Sequence, residues 1–352
     1  MRVGERLDEL YAIGGGPGAN RLGGSPEEDE AHALVAGWMR EARLGVEADA
    51  AGNLFGRLAG RRPELAEVWT GSHLDSVPNG GRLDGALGVV GGLEAVQRAG
   101  QQERTLVVVA FRDEEGCRGR GCVGSRAVCA AGFGQVPAAF LELHVEQGPR
   151  LEAAGAALGV VTGIAATARG EVVVEGREGH AGTTPMAARD DALVAAAELV
   201  LRVRDAAAAV DGAVATVGRL AVEPGAPNVI PGRVVLSVDL RAPDDERLER
   251  LCAVVPAEPS RAAAVAMADG PTGVLREELD RRGLVPVELS SGAGHDAGVL
   301  AAAGVPSAML FVRSLNGGIS HSPDEHSAAE DVELAVEVLA GALARLAGPV
   351  DE

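Results

Sequence analysis

The sequence contains no lysine; all 32 basic residues among its 352 are arginine. That excludes Schiff-base catalysis, a P-loop lysine and a Ser–Lys pair, each of which needs the ε-amine. Aromatic residues make up only 2%, so Ala, Val and Leu must fill the core. Positive charge is also short. Fifty-one acidic residues leave a net charge of −19, the wrong field for nucleic acid or an anionic membrane. The four cysteines, Cys117, Cys122, Cys129 and Cys252, contain no Cys-x-x-Cys pair. A zinc ribbon, a thioredoxin-type site and a disulfide scaffold are therefore not indicated. No uncharged apolar run reaches the ~18 residues of a membrane-spanning helix. The first ten residues are charged and lack the apolar stretch of a signal peptide. The expectation is a cytoplasmic protein. A nicotinamide dehydrogenase fails too, because no Gly-x-Gly-x-x-Gly follows a strand and opens a helix.

What the chain does have is length for two domains and 47% hydrophobic residues. Ser25-Pro-Glu-Glu-Asp before apolar Ala33, Leu34, Trp38 and Met39 reads as a capped amphipathic helix. Buried-strand patterns over 67–70 and 105–111 each end in a polar cluster, where open α/β sheets carry their sites. The middle changes character: strand 171–176, helix 191–209, strands 213–222 and 229–241, helix 244–255, and a weak strand over 261–267. That β-α-β-β-α-β order is ferredoxin-like. Strand-like segments return at 285–289 and 307–312. The expected organisation is an α/β catalytic domain from 1–165 and 271–352, interrupted by a small α+β domain over 166–270.

Seven histidines are present: His32, His73, His144, His180, His295, His321 and His326. His32 lies on the first capped helix pattern and His326 in a polar loop, and neither is given a role. In His73-Leu-Asp75 an imidazole and a carboxylate share one face of an extended segment. Asp84 follows in a Gly-rich stretch, Glu114-Glu115 end a strand pattern, His144 sits in Leu-Glu-Leu-His-Val-Glu-Gln-Gly and His321 in Gly-Gly-Ile-Ser-His-Ser-Pro. Taken singly, each has a plainer reading: an acidic pair is usually a solvated loop, and Gly-Gly-x-x-Asp-Gly is usually a turn. Together, five N/O ligands at strand ends suit one or two divalent metals with open positions. Adjacent carboxylates then suit two tasks, one binding an ion and its neighbour acting as base.

Further motifs run in order along the chain: Leu-Glu-Leu-His144-Val-Glu-Gln-Gly-Pro, Gly-His180-Ala-Gly-Thr-Thr-Pro-Met, Ser-Gly-Ala-Gly-His295-Asp-Ala and Ser-His321-Ser-Pro. With His73-Leu-Asp75, Asp84 and Glu114-Glu115-Gly, the series resembles the hydantoinase/carbamoylase branch of the M20 dinuclear metallopeptidases. That branch holds N-carbamoyl-L-amino acid hydrolases, allantoate amidohydrolases and β-ureidopropionases.

The resemblance implies a zinc-peptidase-like α/β domain, a mixed sheet flanked by helices, with an inserted ferredoxin-like lid and dimerisation domain. It implies two divalent ions per subunit, of zinc, manganese, cobalt or nickel. Asp84 would bridge them, with His73 and His144 completing one sphere and Glu115 and His321 the other. Asp75 would orient His73 and fix its tautomer. Glu114 would be the general base and proton shuttle, and His180 would stabilise the oxyanion. Asn228 and Arg241 would bind the carboxylate of a small anionic ureido substrate. His180, Asn228 and Arg241 would act in trans within a homodimer. Gln147 and the Gly317-Gly318 backbone would line the pocket near the ureido group, and His295 would form its wall. The implied reaction is hydrolysis of a carbamoyl C–N bond, releasing ammonia and carbon dioxide. Alternatives are an aminoacylase or dipeptidase of the same fold, or a non-catalytic relative that binds a small ligand. Segments 126–142 and 255–270 are shorter than that branch normally carries, and both bear on the lid, the dimer surface and the pocket.

Overall fold

The computed structural model describes residues 2–117 and 119–349. The chain divides into two compact units, one running to Gly163 and resuming at Ala266, the other Ile164–Val265. The first unit is an α/β fold around a mixed sheet.

Four strands of that sheet, Val68–His73, Leu106–Phe111, Ala139–Val145 and Ser307–Val312, are buried at every residue. A strand covered on both faces has no solvent side to present, so none of these shows a regular polar–apolar alternation, and Thr70, Ser72, His73, Glu142 and His144 are buried with the apolar residues. Val68–His73 lies between Leu106–Phe111 and Ala139–Val145, parallel to both, and Ser307–Val312 runs parallel to Ala139–Val145 on its other side. Antiparallel strands flank this set: Leu54–Leu58 beside Leu106–Phe111, and Leu158–Ile164 beside Ser307–Val312. The C-terminal ends of all four parallel strands therefore emerge on one edge of the sheet. Helices Ala86–Ala99 and Ala329–Ala347 pack against each other and against the sheet, burying Leu87, Val90, Leu93, Val336 and Leu339. No described helix is long and apolar enough to cross a membrane.

The helix Pro26–Glu41 starts at Ser25, whose side chain accepts from the Glu28 N–H, with Pro26 in the first turn. That is the chemistry of a capped start.

In the second unit, Arg233–Ala242 pairs antiparallel along its whole length with Ala166–Glu175, which also pairs with Ser260–Ala262. On its other side Arg233–Ala242 pairs with Val214–Thr216 and Leu220–Glu223. Helices Ala192–Ala208 and Asp245–Cys252 bury Leu199, Val203, Leu248 and Leu251 against this sheet. The weak strand expected over 261–267 is interrupted. Ser260–Ala262 stays in this sheet, whereas Met267 and Ala268 donate to the carbonyls of Thr162 and Ser307 in the first unit.

Candidate metal centre

His73 is the last residue of Val68–His73, and Asp75 follows two residues on. Glu114 and Glu115 lie three and four residues past Phe111, the end of the neighbouring strand. His144 is the penultimate residue of Ala139–Val145, and His321 lies in the loop after Ser307–Val312. Asp84 comes from the crossover, just before the helix Ala86–Ala99. One sheet edge thus brings together residues that are up to 248 positions apart (321 minus 73).

Asp84 stands at the middle. Its Oδ1 lies 3.2 Å from His144 Nε2 and 3.8 Å from His73 Nε2. Its Oδ2 lies 3.3 Å from His321 Nε2, which is 3.5 Å from Glu115 Oε1. Two ligand groups result, His73/Asp84/His144 and Asp84/Glu115/His321, each with its atoms within 4.8 Å of one another. They share Asp84, one oxygen to each. A third such group, Glu142/His144/His295, is already satisfied. Glu142 accepts from Ser72 Oγ (2.6 Å) and the Ala297 N–H (2.8 Å).

The ring nitrogens decide what the first group can hold. His73 Nδ1 is 3.2 Å from both the carbonyl and Oδ1 of Asp75, and His144 Nδ1 is 3.0 Å from the Val145 carbonyl. Both Nδ1 atoms therefore carry the proton, and both Nε2 lone pairs face carboxylate oxygen. His144 Nε2 and Glu115 Oε1 are buried without a hydrogen-bond partner. Lone pair facing lone pair is repulsive unless a cation lies between them. The donor set, imidazole nitrogen and carboxylate oxygen, fits a divalent transition metal.

The charges say the same. Burial alone would pull the His73 and His144 pKa values down, but the carboxylates around them prevail. His73, facing Asp75, Glu114 and Asp84, is held well above its usual range, and His144, beside Asp84, is pushed up to about 9. His321 also rises to about 9, chiefly through Asp84. Burial raises Glu114 well above the carboxylate range and, with Asp84 nearby, raises Glu115 to about 7. A cluster that draws protons onto its histidines and onto Glu114 and Glu115 is one short of positive charge.

Gly85 makes the crossover possible. Its φ is +62°, and a Cβ there would clash with Cε1 and Nδ1 of the His73 ring. The loops bearing the ligands hold other left-handed residues, Asp113, Cys122, Gln147 and His321, among the seven non-glycine ones described. Such conformations cost about 1–3 kcal/mol each and gather at functional sites.

Asp75 does more than the sequence implies. Besides His73, its two carboxylate oxygens accept the backbone N–H groups of Glu114 and Glu115 (3.0 and 3.1 Å). One buried side chain thus sets both an imidazole and the acidic pair. Glu114 Oε2 stands 3.9 Å from His73 Nε2, and its Oε1 accepts from Cys122 Sγ (3.4 Å). Gln147 Nε2 donates to Asp84 Oδ2 (3.0 Å) and Ser320 Oγ (3.3 Å). The N–H groups of Gly317 and Gly318 are bonded to Glu152 and Leu315, so that turn has only carbonyls left for a ligand. His295 is buried against His144, ring centroids 4.6 Å apart, with Nε2 2.9 Å from Ser291 Oγ. Burial and the neighbouring His144 keep it well below the usual histidine pKa.

His180, Asn228 and Arg241 lie in the second unit. His180 and Asn228 are exposed neighbours: Val229 pairs with His180, and Ala181 donates to the Asn228 carbonyl. His180 Nδ1 accepts from the Gly182 N–H (3.0 Å), which leaves Nε2 as the N–H of the neutral ring. Arg241 forms a bidentate pair with Asp239, both bonds 2.9 Å.

Three buried acids at the centre escape the sequence reading: Glu142, Asp296 and Glu325. Glu142 was within reach, since a charge two residues from His144 in an otherwise apolar strand has to be satisfied inside. Asp296 Oδ1 accepts from Ser125 Oγ (2.5 Å), joining the helices Asp296–Ala302 and Val123–Ala131.

Comparison with known proteins agrees with this arrangement. The pattern of peptidase family M20/M25/M40 matches residues 69–345. The chain belongs to that family. An N-carbamoyl-L-amino acid amidohydrolase of Geobacillus stearothermophilus is 39% identical, with 96% of each chain covered. An allantoate amidohydrolase of Bacillus subtilis is 34% identical over 96% of this chain and 95% of that one. Among solved structures, a hydantoinase/carbamoylase-family amidase of Burkholderia multivorans superposes with a TM-score of 0.89 at 34% identity, covering 99% and 98%. Family membership makes this a hydrolase of C–N bonds with a metal-dependent chemistry. The alignment with the Geobacillus protein spans 398 positions, more than the 352 residues here, so that relative carries residues this chain lacks.

Proposed function

We propose that the protein is a dinuclear-metal amidohydrolase that cleaves the carbamoyl C–N bond of a ureido acid, an N-carbamoyl-L-amino acid or allantoate. The observation that carries this reading is Asp84 offering one oxygen to each of two ligand groups, with Glu114 beside them. His73, Asp84 and His144 would hold one ion and Asp84, Glu115 and His321 the other. When bound, such ions supply Lewis acidity that polarises a carbonyl and acidifies water.

The chain's own residues divide the remaining work. Glu114 takes the proton of the attacking water as the water adds to the carbamoyl carbon. It then delivers that proton to the leaving nitrogen. The carbamate released decomposes to ammonia and carbon dioxide. Burial raises the proton affinity of Glu114 despite the His73 imidazole 3.9 Å away, which is what a shuttle needs. His180 Nε2–H is a neutral donor suited to an oxyanion, an interaction worth roughly 3–4 kcal/mol in measured cases. Asn228 and Arg241 bind the substrate carboxylate, Arg241 by turning its fork from Asp239 to the ligand.

The reading includes a homodimer in which His180, Asn228 and Arg241 serve the opposite protomer. Leu193, Val194 and Leu201 are exposed on the helix Ala192–Ala208, and Leu220 on the edge strand Leu220–Glu223. A second copy would cover this apolar surface.

The test is ammonia release by zinc- or manganese-loaded protein from allantoate, β-ureidopropionate and a panel of N-carbamoyl-L-amino acids. Turnover of at least one that disappears with chelator is expected. No turnover of any, alongside cleavage of N-acyl amino acids or dipeptides, would overturn the ureido assignment.

A further inference from the structure

Glu325 is 6% exposed, lies four residues past His321, and is absent from every ligand group. Its Oε1 accepts the N–H groups of Leu83 (2.7 Å) and Asp84 (3.0 Å). Its Oε2 accepts from Ser320 Oγ (2.7 Å), which in turn accepts from Gln147 Nε2. One carboxylate thus ties the backbone of the shared ligand to the residue beside His321. The room for it is made by Gly81, where a Cβ would overlap the Glu325 carboxylate.

The two ligand groups do not depend on this tie equally. His73 and His144 come from strands buried at every residue, and Asp84 is also held by the start of the helix Ala86–Ala99, where Ala86 donates to its carbonyl. His321 has no such frame. It sits at φ +53° in the irregular stretch between Val312 and Ala329, with its side chain half exposed. We infer that Glu325 is a positioning residue that sets the His321 loop against Asp84, so that the Asp84/Glu115/His321 group depends on it and the His73/Asp84/His144 group does not. The inference rests on the dinuclear reading above.

Metal content separates the two. Wild type, Glu325→Ala, Glu325→Gln and His321→Ala would be stripped with chelator, reloaded with zinc and desalted. Ions per protomer would then be counted by mass spectrometry and affinities taken by competition with a chromophoric chelator. Wild type should hold two ions. Glu325→Ala should keep one at wild-type affinity and bind the other about 10–100-fold more weakly, the usual effect of losing a residue that orients a ligand. His321→Ala should weaken the same ion at least as much, and the double variant should lose nothing beyond His321→Ala. Glu325→Gln should recover most of the loss, because its amide oxygen still accepts from Leu83 and Asp84. Two ions held by Glu325→Ala at wild-type affinity, or both weakened alike, would overturn this inference alone. Fewer than two ions in wild type would overturn the dinuclear reading with it. If Glu325→Ala does not fold, Ser320→Ala removes the arm to the His321 loop and, with it, one of the two acceptors of the Gln147 amide, which keeps its bond to Asp84. It should weaken the same single ion, and unchanged binding there would likewise overturn the inference.

Discussion

Glu114 illustrates how a single side chain is given its task by its surroundings. Burial pushes its pKa up while Asp75 fixes its backbone N–H and Cys122 meets one oxygen. Glu114→Gln keeps the shape and removes the proton acceptor, so turnover should fall at least ~100-fold while metal content stays at the wild-type value. Steady-state kinetics beside metal analysis reads this, and unchanged turnover would remove Glu114 from the chemistry. Gly85 carries two constraints at once, a left-handed φ and contact with the His73 ring. Gly85→Ala should cost on the order of 2–4 kcal/mol by denaturant titration and weaken metal binding. His32 titrates away from the centre. Burial, aided by the Arg112 charge, lowers its pKa to about 4, and its Nδ1 faces the Glu28 carbonyl at 3.0 Å. The unfolded chain protonates it near 6.5, so the unfolded state binds the extra proton first as pH falls. The His32 contribution to stability should be level above ~6.5 and drop between ~6.5 and ~4 by on the order of 3 kcal/mol, the part of the slope that His32→Gln should remove. Urea melts of the two proteins at pH 7 and pH 5 measure it.

Among the elements, those with strong local chemistry were the readable ones. Ser25 and Pro26 announce the helix Pro26–Glu41, and Ser25→Ala should cost about 1 kcal/mol, visible as a lower denaturation midpoint. The runs 67–70 and 105–111 were legible as buried strands because they are short, β-rich and end in polar clusters. The run 213–222 reads as one strand but is two, Val214–Thr216 and Leu220–Glu223. Three residues, 217–219, stand opposite only Ser237 and Val238, a bulge in which Arg219 and Ser237 bond to each other. A one-residue mismatch belongs to the pair of strands, so no single strand's periodicity reveals it. Glu325 was hidden for a related reason. In a polar loop a glutamate reads as solvated, and only the fold brings Leu83 and Asp84 against it.

At the scale of the whole molecule, the ligand groups belong to one unit and His180, Asn228 and Arg241 to the other. If the second set works across a dimer, inactive His180→Ala and Glu114→Gln proteins should regain about a quarter of wild-type activity on subunit exchange, the share expected from random pairing. No recovery despite demonstrated exchange would place those residues in cis or outside the reaction. The ligands also arrive on the chain in a fixed order. His73, Asp84 and His144 are synthesised before the inserted unit, whereas His321 follows it, and so does Ser307–Val312, which completes the parallel set beside Ala139–Val145. A growing chain can therefore present its first ligand group more than a hundred residues before the second exists. Because protein synthesis is directional, on the dinuclear reading proposed above a first ion would have the whole translation of the insert in which to arrive, whereas a second could join only once His321 has been made.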